Sequence, residues 1–584
     1  MKNREELEKS ILSSISGQEM YRHLEWFNGV DRTSGTEGDY RAVDYVVDYL
    51  KKHGVHVDVY EFDAYISHPI RASLRLVHPE EREFRCKTRA MSASTVPQGV
   101  RAEVVYVPTR HGGVGLLEGV AEDEYSGTDV AGKIVLSERG GPDGIWDAQK
   151  HGAIGHIHLW PSDEDVVHEM IASPVWGTPT PETKDRIPTI ACVAVKRADG
   201  LYLKSLCEKG KVEVILRTET DTRWRKLRLP IATIPGTKEP DKFVLVAGHL
   251  DSWYVGITDN ATGNACLLEL ARVFNLHRDS LARSIRIGWW PGHSYGRYAG
   301  STWYADNFFN DIYENCIAYD NIDSPGVKGA TDYSSVTAMA EDKAFVEQIV
   351  KEITGQKSTG SRPARAGDQS FWGHGVPSLF MLLSNVPKGA AVGGSGGGWW
   401  WHSEYDTLDK ADIDILVTDT KIHALAVLRL ANAEILSFQY KPVADEVIAT
   451  LAAYEKRAAG RFDFTPAVKA AKEFEARAVE FDAAVAAIPQ GSPEKAAIAN
   501  KTMMKLSRAL IPVMYTTTGP FDQDPATPIP SLPGLYRVVE LDQHEPESDM
   551  YRFLLTRLTR ERNRVVRALR DATLLIDEAL AALK

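Results

Sequence analysis

The sequence predicts an α/β protein built on a doubly wound mixed sheet. A smaller domain is inserted into it, and a helical domain follows it. Three observations carry this expectation. Phe243-Val244-Leu245-Val246-Ala247 is a continuous apolar run, the texture of a parallel strand buried on both faces. Helical and extended patterns then alternate to about residue 440, as βα units do. Beyond 441, helical apolar spacing dominates and strand signals are few.

Each element follows in order. Residues 1–95 form the first part of the main domain. Within it, 42–50 have helical apolar spacing that ends near Gly54, and 55–60 alternate as a strand does. Residues 96–225 change texture: short β-like runs at 102–107, 133–136 and 154–158 are separated by glycine-rich and proline-rich turns, with a short helix expected at 143–152. This reads as the inserted α/β domain. Residues 226–440 return to long units, with strands expected at 243–247, 284–290 and 317–322 and helices at 264–275 and 300–309. In such a sheet the chemistry sits at the C-terminal ends of the strands. In 441–584, helical stretches at 444–487 and 493–511 precede a proline-rich loop at 519–533, and a charged helix at 548–583 closes the chain. Its arginines, Arg557 to Arg570, read as a solvated or subunit-facing surface.

With 584 residues, about three domains are expected. The net charge of −12 argues against nucleic acid or an anionic membrane as the main partner. Five cysteines without a Cys-x-x-Cys pair read as reduced, mostly buried thiols. The N-terminus is charged with no apolar segment behind it, and no run of 18 apolar residues occurs. The expected location is the cytoplasm.

The strongest motif follows the strand at 243–247. It reads Gly248-His249-Leu250-Asp251-Ser252-Trp253, then Thr258-Asp259-Asn260-Ala261-Thr262-Gly263. A histidine at a strand end can offer one ring nitrogen to a metal. An acid two residues on, if the strand geometry persists, can take the other ring N–H and fix the tautomer. A carboxylate at Asp259, where a helix begins, can bridge two ions. Each of these residues alone has an ordinary structural explanation, such as a helix N-cap for Asp259. The combination does not.

These residues resemble the co-catalytic zinc exopeptidases, the family of bacterial aminopeptidases, glutamate carboxypeptidase II and the non-enzymatic transferrin receptor. The inserted region is similar to a protease-associated domain at Asp129-Val130-Ala131-Gly132-Lys133-Ile134-Val135-Leu136 and Ile187-Pro188-Thr189-Ile190. The C-terminal region, with Met503 to Leu510 and Pro533-Gly534-Leu535-Tyr536, resembles the family's helical dimerisation domain. The resemblance implies a homodimer and one or two divalent transition-metal ions: zinc first, with iron, manganese, nickel or copper as alternatives. It assigns His249, Asp259, Asp323 and His402 as metal ligands, and Asp251 as the group behind His249. Asp368 matches a structural or substrate-facing position. Trp401 and Tyr536 are expected near substrate, the latter through the loop at 528–536.

One position departs. The family's adjacent glutamates, a general base and then a metal ligand, align with His293-Ser294 in Pro291-Gly292-His293-Ser294-Tyr295-Gly296. His293 can replace the lost ligand, or serve as base with its ordinary pKa near 6.5. Gly292-His293-Ser294-Tyr295-Gly296 also has the G-x-S-x-G form of a nucleophile elbow. A serine hydrolase with Ser294, His402 and Asp323 or Asp368 is therefore one alternative. A non-catalytic, receptor-like binding protein is another. The leading expectation is a metallohydrolase cleaving a peptide or small amide C–N bond. Trp399-Trp400-Trp401, after the glycine run at 393–398, suggest an aromatic lid and a preference for an apolar or aromatic amide over a highly charged one.

Overall fold

The computed structural model describes residues 4–109, 124–125, 127–381, 383–387 and 397–584. The first four residues of the glycine run, 393–396, lie outside them. Among the described residues a 12-stranded mixed sheet runs through the main and inserted domains. Its main part is four parallel strands in the spatial order Ser378–Leu379, Cys316–Asn321, Glu239–His249, Arg283–Trp290. Glu213–Ile234 then pairs antiparallel to Arg283–Trp290.

The apolar run behaves as its composition requires. Val244 and Val246 face one core with Ile285, Ile287 and the helices Thr262–Leu276 and Ile413–Asn432. Phe243, Leu245 and Ala247 face a second core with Trp290, Tyr304 and Tyr319. Both faces are dry, so no polar alternation appears in the sequence. From Glu239–His249 the chain crosses to Arg283–Trp290 on one side, then to Cys316–Asn321 on the other. The strand that ends in His249 is thus the switch point, where an α/β sheet opens a crevice at its carboxyl edge.

Two strands are far longer than expected. His56–His78 and Glu213–Ile234 pair antiparallel along nearly their full lengths. Their outer halves leave the main domain: Leu74, Leu76, Val214 and Leu216 pack in one core with Val104, Ile134, Ile157 and Val193 of the insert. The insert also takes Arg82–Phe84 and Cys86–Thr88, since Phe84 joins that core and Cys86–Thr88 pairs with Ala191–Val195. Structurally, then, the inserted lobe starts before residue 96. Texture alone placed the boundary at the first glycine-rich turns.

The helical region comprises Lys441–Ala458, Thr465–Ala486, Pro493–Tyr515 and Asp549–Leu583. The stretch read as 444–487 is two helices, because Ala459 and Gly460 take left-handed backbone and end the first. The arginine-rich helix is partly turned inward. Arg564 donates to the Pro512 carbonyl, and Arg562 to that of Asp463. The five cysteines are free. Among the described residues, no helix is long and apolar enough to cross a membrane.

Candidate metal centre

His249, Asp259, Asp323 and His402 meet at the carboxyl edge of the parallel strands. His249 ends its strand, and Asp323 follows Cys316–Asn321 by two residues. Asp259 stands in the irregular turn Ile257–Ala261 before the helix Thr262–Leu276, joined to Asn260 by a cis peptide bond. His249 Nε2 lies 3.1 Å from Asp259 Oδ1 and 3.6 Å from Asp323 Oδ1. His402 Nε2 lies 2.9 Å from the other Asp259 oxygen. Asp259 therefore stands between the two imidazoles, one oxygen toward each.

The supporting groups set the tautomers. His249 Nδ1 is 2.8 Å from the carbonyl of Asp251, and His402 Nδ1 is 3.0 Å from the carbonyl of Glu169. A carbonyl only accepts, so both Nδ1 atoms carry the proton and both Nε2 lone pairs face Asp259. Nitrogen lone pairs and carboxylate oxygens converging in a buried place repel one another unless a cation sits among them. That donor set fits a divalent transition metal. The pKa values register the same demand. Burial pulls His249 down, but its bonds to Asp259 and Asp323 outweigh this and raise it well above the usual histidine value. Burial pushes Asp259 up, but His249 and His402 hold it well below the usual carboxylate range.

Asp251 has a different role from the one its spacing suggested. Its carboxylate stays 3.8 Å from His249 Nδ1. It instead accepts the backbone N–H groups of His293 and Ser294, at 3.1 and 2.9 Å, and the Ser34 hydroxyl at 2.6 Å. The strand register ends at His249, so an i, i+2 argument no longer applies beyond it. The acid that replaced the expected contact is the means by which the 293–294 turn is held.

His293 points into the site. Its Nδ1 is 2.7 Å from Asp368 Oδ2, and the other Asp368 oxygen accepts the Ser301 hydroxyl at 2.6 Å. Asp368 has left-handed backbone, φ 54°, a conformation a non-glycine residue holds only when its surroundings fix it. With Nδ1 on Asp368, Nε2 is left for the site. The ring stacks on His249, centroids 3.9 Å apart and planes 17° from parallel. One donor atom each from His249, His293 and Asp323 lie within 4.8 Å of one another. Ser294 is buried, and its Oγ has no hydrogen-bond partner among the described residues. His402 is engaged by Asp259 rather than by Ser294.

A cavity of ≈ 320 Å³ opens over this cluster, walled by Met170, Ile171, Trp253, Tyr298, Met381 and Trp401. Trp401 stacks on His402 at 3.4 Å. Trp400 instead anchors the metal turn, its Nε1 donating to Thr258 Oγ1 at 3.0 Å. Tyr536 is elsewhere: it packs by Tyr454 in the helical region, ring centroids 6.3 Å apart. The C-terminal region reaches the cavity's surroundings through Ala526, which packs with Trp176 and Tyr298.

Several contributors carried no sequence signal. Arg32, fully buried, donates to the carbonyls of Leu250, Val255 and Gly256 and so shapes the loop after His249. Asp406 accepts the N–H groups of Thr258 and Asp259 at 2.9 and 3.1 Å. Burial raises its pKa to about 7. Asn260 ties the Ile322 carbonyl to the N–H groups of Gly263 and Ser324. Only Asn260 and Asp406 lay inside recognisable motifs.

Residues 231–426 match peptidase family M28. The chain is 23% identical over 478 residues to Probable glutamate carboxypeptidase VP8 of Zea mays, covering 70% of this chain and 66% of that protein, just under two thirds of its length. Among solved structures, a peptidase M28 precursor from Shewanella amazonensis superposes with a TM-score of 0.59 at 19% identity, over 74% of this chain and 97% of that one. BSAP, a zinc aminopeptidase from Bacillus subtilis, gives 0.51 at 19%, over 72% and 96%. The resemblance read from the sequence and its α/β fold are borne out.

Proposed function

We infer, from the match of residues 231–426 to peptidase family M28, that this protein is a zinc-dependent hydrolase of peptide or small-amide C–N bonds in which His293 does the work of the family's glutamate base. The observation that carries the assignment is the Asp368–His293 pair, 2.7 Å apart, which takes up Nδ1 and leaves for the site the Nε2 of a ring stacked on His249. His249, Asp259 and Asp323 would hold one ion, a histidine and two carboxylates, which leaves a position open for chemistry. The second place is poorer. Asp259 and His402 remain, but Ser294 stands where the family has a glutamate. A single ion per chain is the reading.

A zinc ion there supplies Lewis acidity toward the scissile carbonyl. The chain supplies the rest. His293 Nε2 takes a proton from the attacking water, and Asp368 stabilises the imidazolium through Nδ1–H. The same Nε2 then returns the proton to the departing nitrogen. Trp253, Tyr298 and Trp401 exclude bulk water, which strengthens these interactions.

The proximity of His249, His293 and Asp323 favours a second reading, in which His293 is itself a ligand. Ring stacking weighs against it. Imidazole lone pairs lie in the ring plane, and two stacked, nearly parallel rings with centroids 3.9 Å apart do not direct their lone pairs to one ion about 2.0–2.1 Å from each nitrogen. Elemental analysis with a turnover panel tests the proposal. One zinc per chain, with turnover lost on chelation, is expected. His293→Ala should keep zinc and lose turnover, and loss of both would make His293 a ligand. Absence of metal from wild type would end the reading. We also propose a homodimer through the helical region, supported by the exposed Met550, Phe553 and Leu574 on Asp549–Leu583 and testable by light scattering.

A further inference from the structure

The cavity over the cluster contains a positive charge for which the described residues supply no ion-pair partner. Arg297 lies four residues after His293 on left-handed backbone, φ 48°, and is 8% exposed. It lines the same ≈ 320 Å³ cavity as Asp259, His293 and His402. Among the described residues its guanidinium has no hydrogen-bond or ion-pair partner, and its Nε is buried and unpartnered. The contact it does make is with the Tyr298 ring, 5.2 Å from the guanidinium carbon to the centroid.

A second guanidinium stands behind the same wall. Arg89 is 1% exposed and gives one nitrogen to His158, but its Nε and Nη1 are buried without partners. It precedes Ala90, whose N–H bonds the Met170 carbonyl, and Met170 and Ile171 form the cavity wall. Burial lowers the Arg89 pKa to about 10, opposed by the neighbouring Cys192 and Glu169, and the charge of Arg297 adds a smaller lowering. The acids that line the cavity are already engaged: Asp259 and Asp323 face His249. Behind the lining, Asp368 holds His293 and Ser301. Glu169, also outside that lining, accepts from Tyr254 through Oε1, with Lys87 3.9 Å away, while its Oε2 is buried without a partner among the described residues.

A buried charge is tolerated when something pairs with it, and a guanidinium fork matches a carboxylate with two parallel N–H···O bonds. A cavity near the lower end of the ligand-pocket range, about 300–1,000 Å³, admits a small molecule rather than a long peptide. We propose that Arg297, with Arg89 behind it, is an anion subsite that binds a carboxylate of the small substrate whose scissile bond lies at the metal cluster. This rests on the hydrolase reading for the nature of the ligand. It narrows the expectation of an apolar or aromatic amide drawn from the aromatic lining, since one end of the substrate would carry a single charge.

The carboxylate can be the α-carboxylate of the departing amino acid or an acidic side chain. Calorimetric titration of the full-length protein in zinc-supplemented buffer separates them, using L-leucine (α-carboxylate), 4-aminobutanoate (side-chain carboxylate) and L-leucinol (none), none of which has an amide bond to cleave. The better carboxylate probe should bind at least about tenfold more tightly than L-leucinol. Arg297→Gln should abolish this preference with bound zinc unchanged, and Arg297→Lys should keep part of it. Equal binding of all three probes by wild type, no binding of any, or a preference that survives R297Q would overturn the subsite. If R297Q does not fold, the wild-type comparison decides alone. A carboxylate preference in protein that holds no zinc and turns over nothing would end the hydrolase reading but leave the subsite standing. Zinc and turnover without the preference would do the reverse.

Discussion

Replacing Asp368 by Asn isolates the charge behind His293 while sparing its geometry. The Asp368 carboxylate makes two bonds, 2.7 Å to His293 Nδ1 and 2.6 Å from the Ser301 hydroxyl. An amide can keep both, with its oxygen toward Nδ1–H and its NH₂ toward Ser301 Oγ, which accepts as readily as it donates. What is lost is the charge-assisted part of one bond during the moment His293 is an imidazolium. Bonds to charged groups contribute about 1.5–3 kcal/mol and neutral ones about 0.5–1.5, a difference of roughly 1–1.5 kcal/mol. That corresponds to a fall in kcat of about 5- to 15-fold. Removing the imidazole itself with His293→Ala forfeits general-base catalysis, about 10²- to 10⁴-fold. The assay is kcat on whichever member of a panel of amino-acid amides and dipeptides wild type cleaves fastest, with zinc measured on the same preparations. Wild-type kcat in Asp368→Asn, or a fall to the level of His293→Ala, would refute the partition of roles. Loss of zinc in Asp368→Asn would show that Asp368 acts on a metal ligand.

Three further outcomes are expected. Ser294→Glu restores a carboxylate beside Asp259 and His402, and elemental analysis should then find two zinc ions per chain rather than one; an unchanged count would argue that the second place is closed for other reasons. Arg32→Ala strips the donors from three buried carbonyls in the loop after His249, so urea unfolding should read about 3–5 kcal/mol of lost stability, together with weaker zinc retention; a change within about 0.5 kcal/mol would show that the loop is held by other contacts. His156, fully buried in Gly155–Leu159 with neither ring nitrogen hydrogen-bonded among the described residues, has its pKa lowered to about 3 by burial and then by Arg89. The unfolded chain takes up that proton near pH 6.5 and the folded chain refuses it until about pH 3. This residue's contribution is therefore complete above pH 6.5 and is lost as the pH falls, by about 1.4 kcal/mol per unit. His156→Leu should remove that slope, and parallel pH profiles for the two proteins would count against a neutral buried His156.

The sequence by itself determined the α/β class and the buried strand at 243–247, while the assignment of His249, Asp259, Asp323 and His402 came from the family resemblance of its motifs. Both depend on local information. Val244 and Val246 alternate with Phe243, Leu245 and Ala247 between two cores, so the run has to be apolar throughout, and such runs announce the strands that His249 ends and Asp323 follows. The same resemblance marked the His293-Ser294 departure from the family's glutamate pair. Local information did not extend past the strand end, where Asp251 turns from His249 to the 293–294 amides. Tertiary structure decided what lies far apart in the chain: Asp368 against His293 across 75 residues, Arg32 on the 250–256 loop, and the Glu169 carbonyl of the insert on His402. Spacing cannot encode these pairs, because each is set by how two separate elements dock. The same holds for Arg297, an ordinary arginine in the sequence that becomes a buried, unpaired charge only when the insert closes over the cavity.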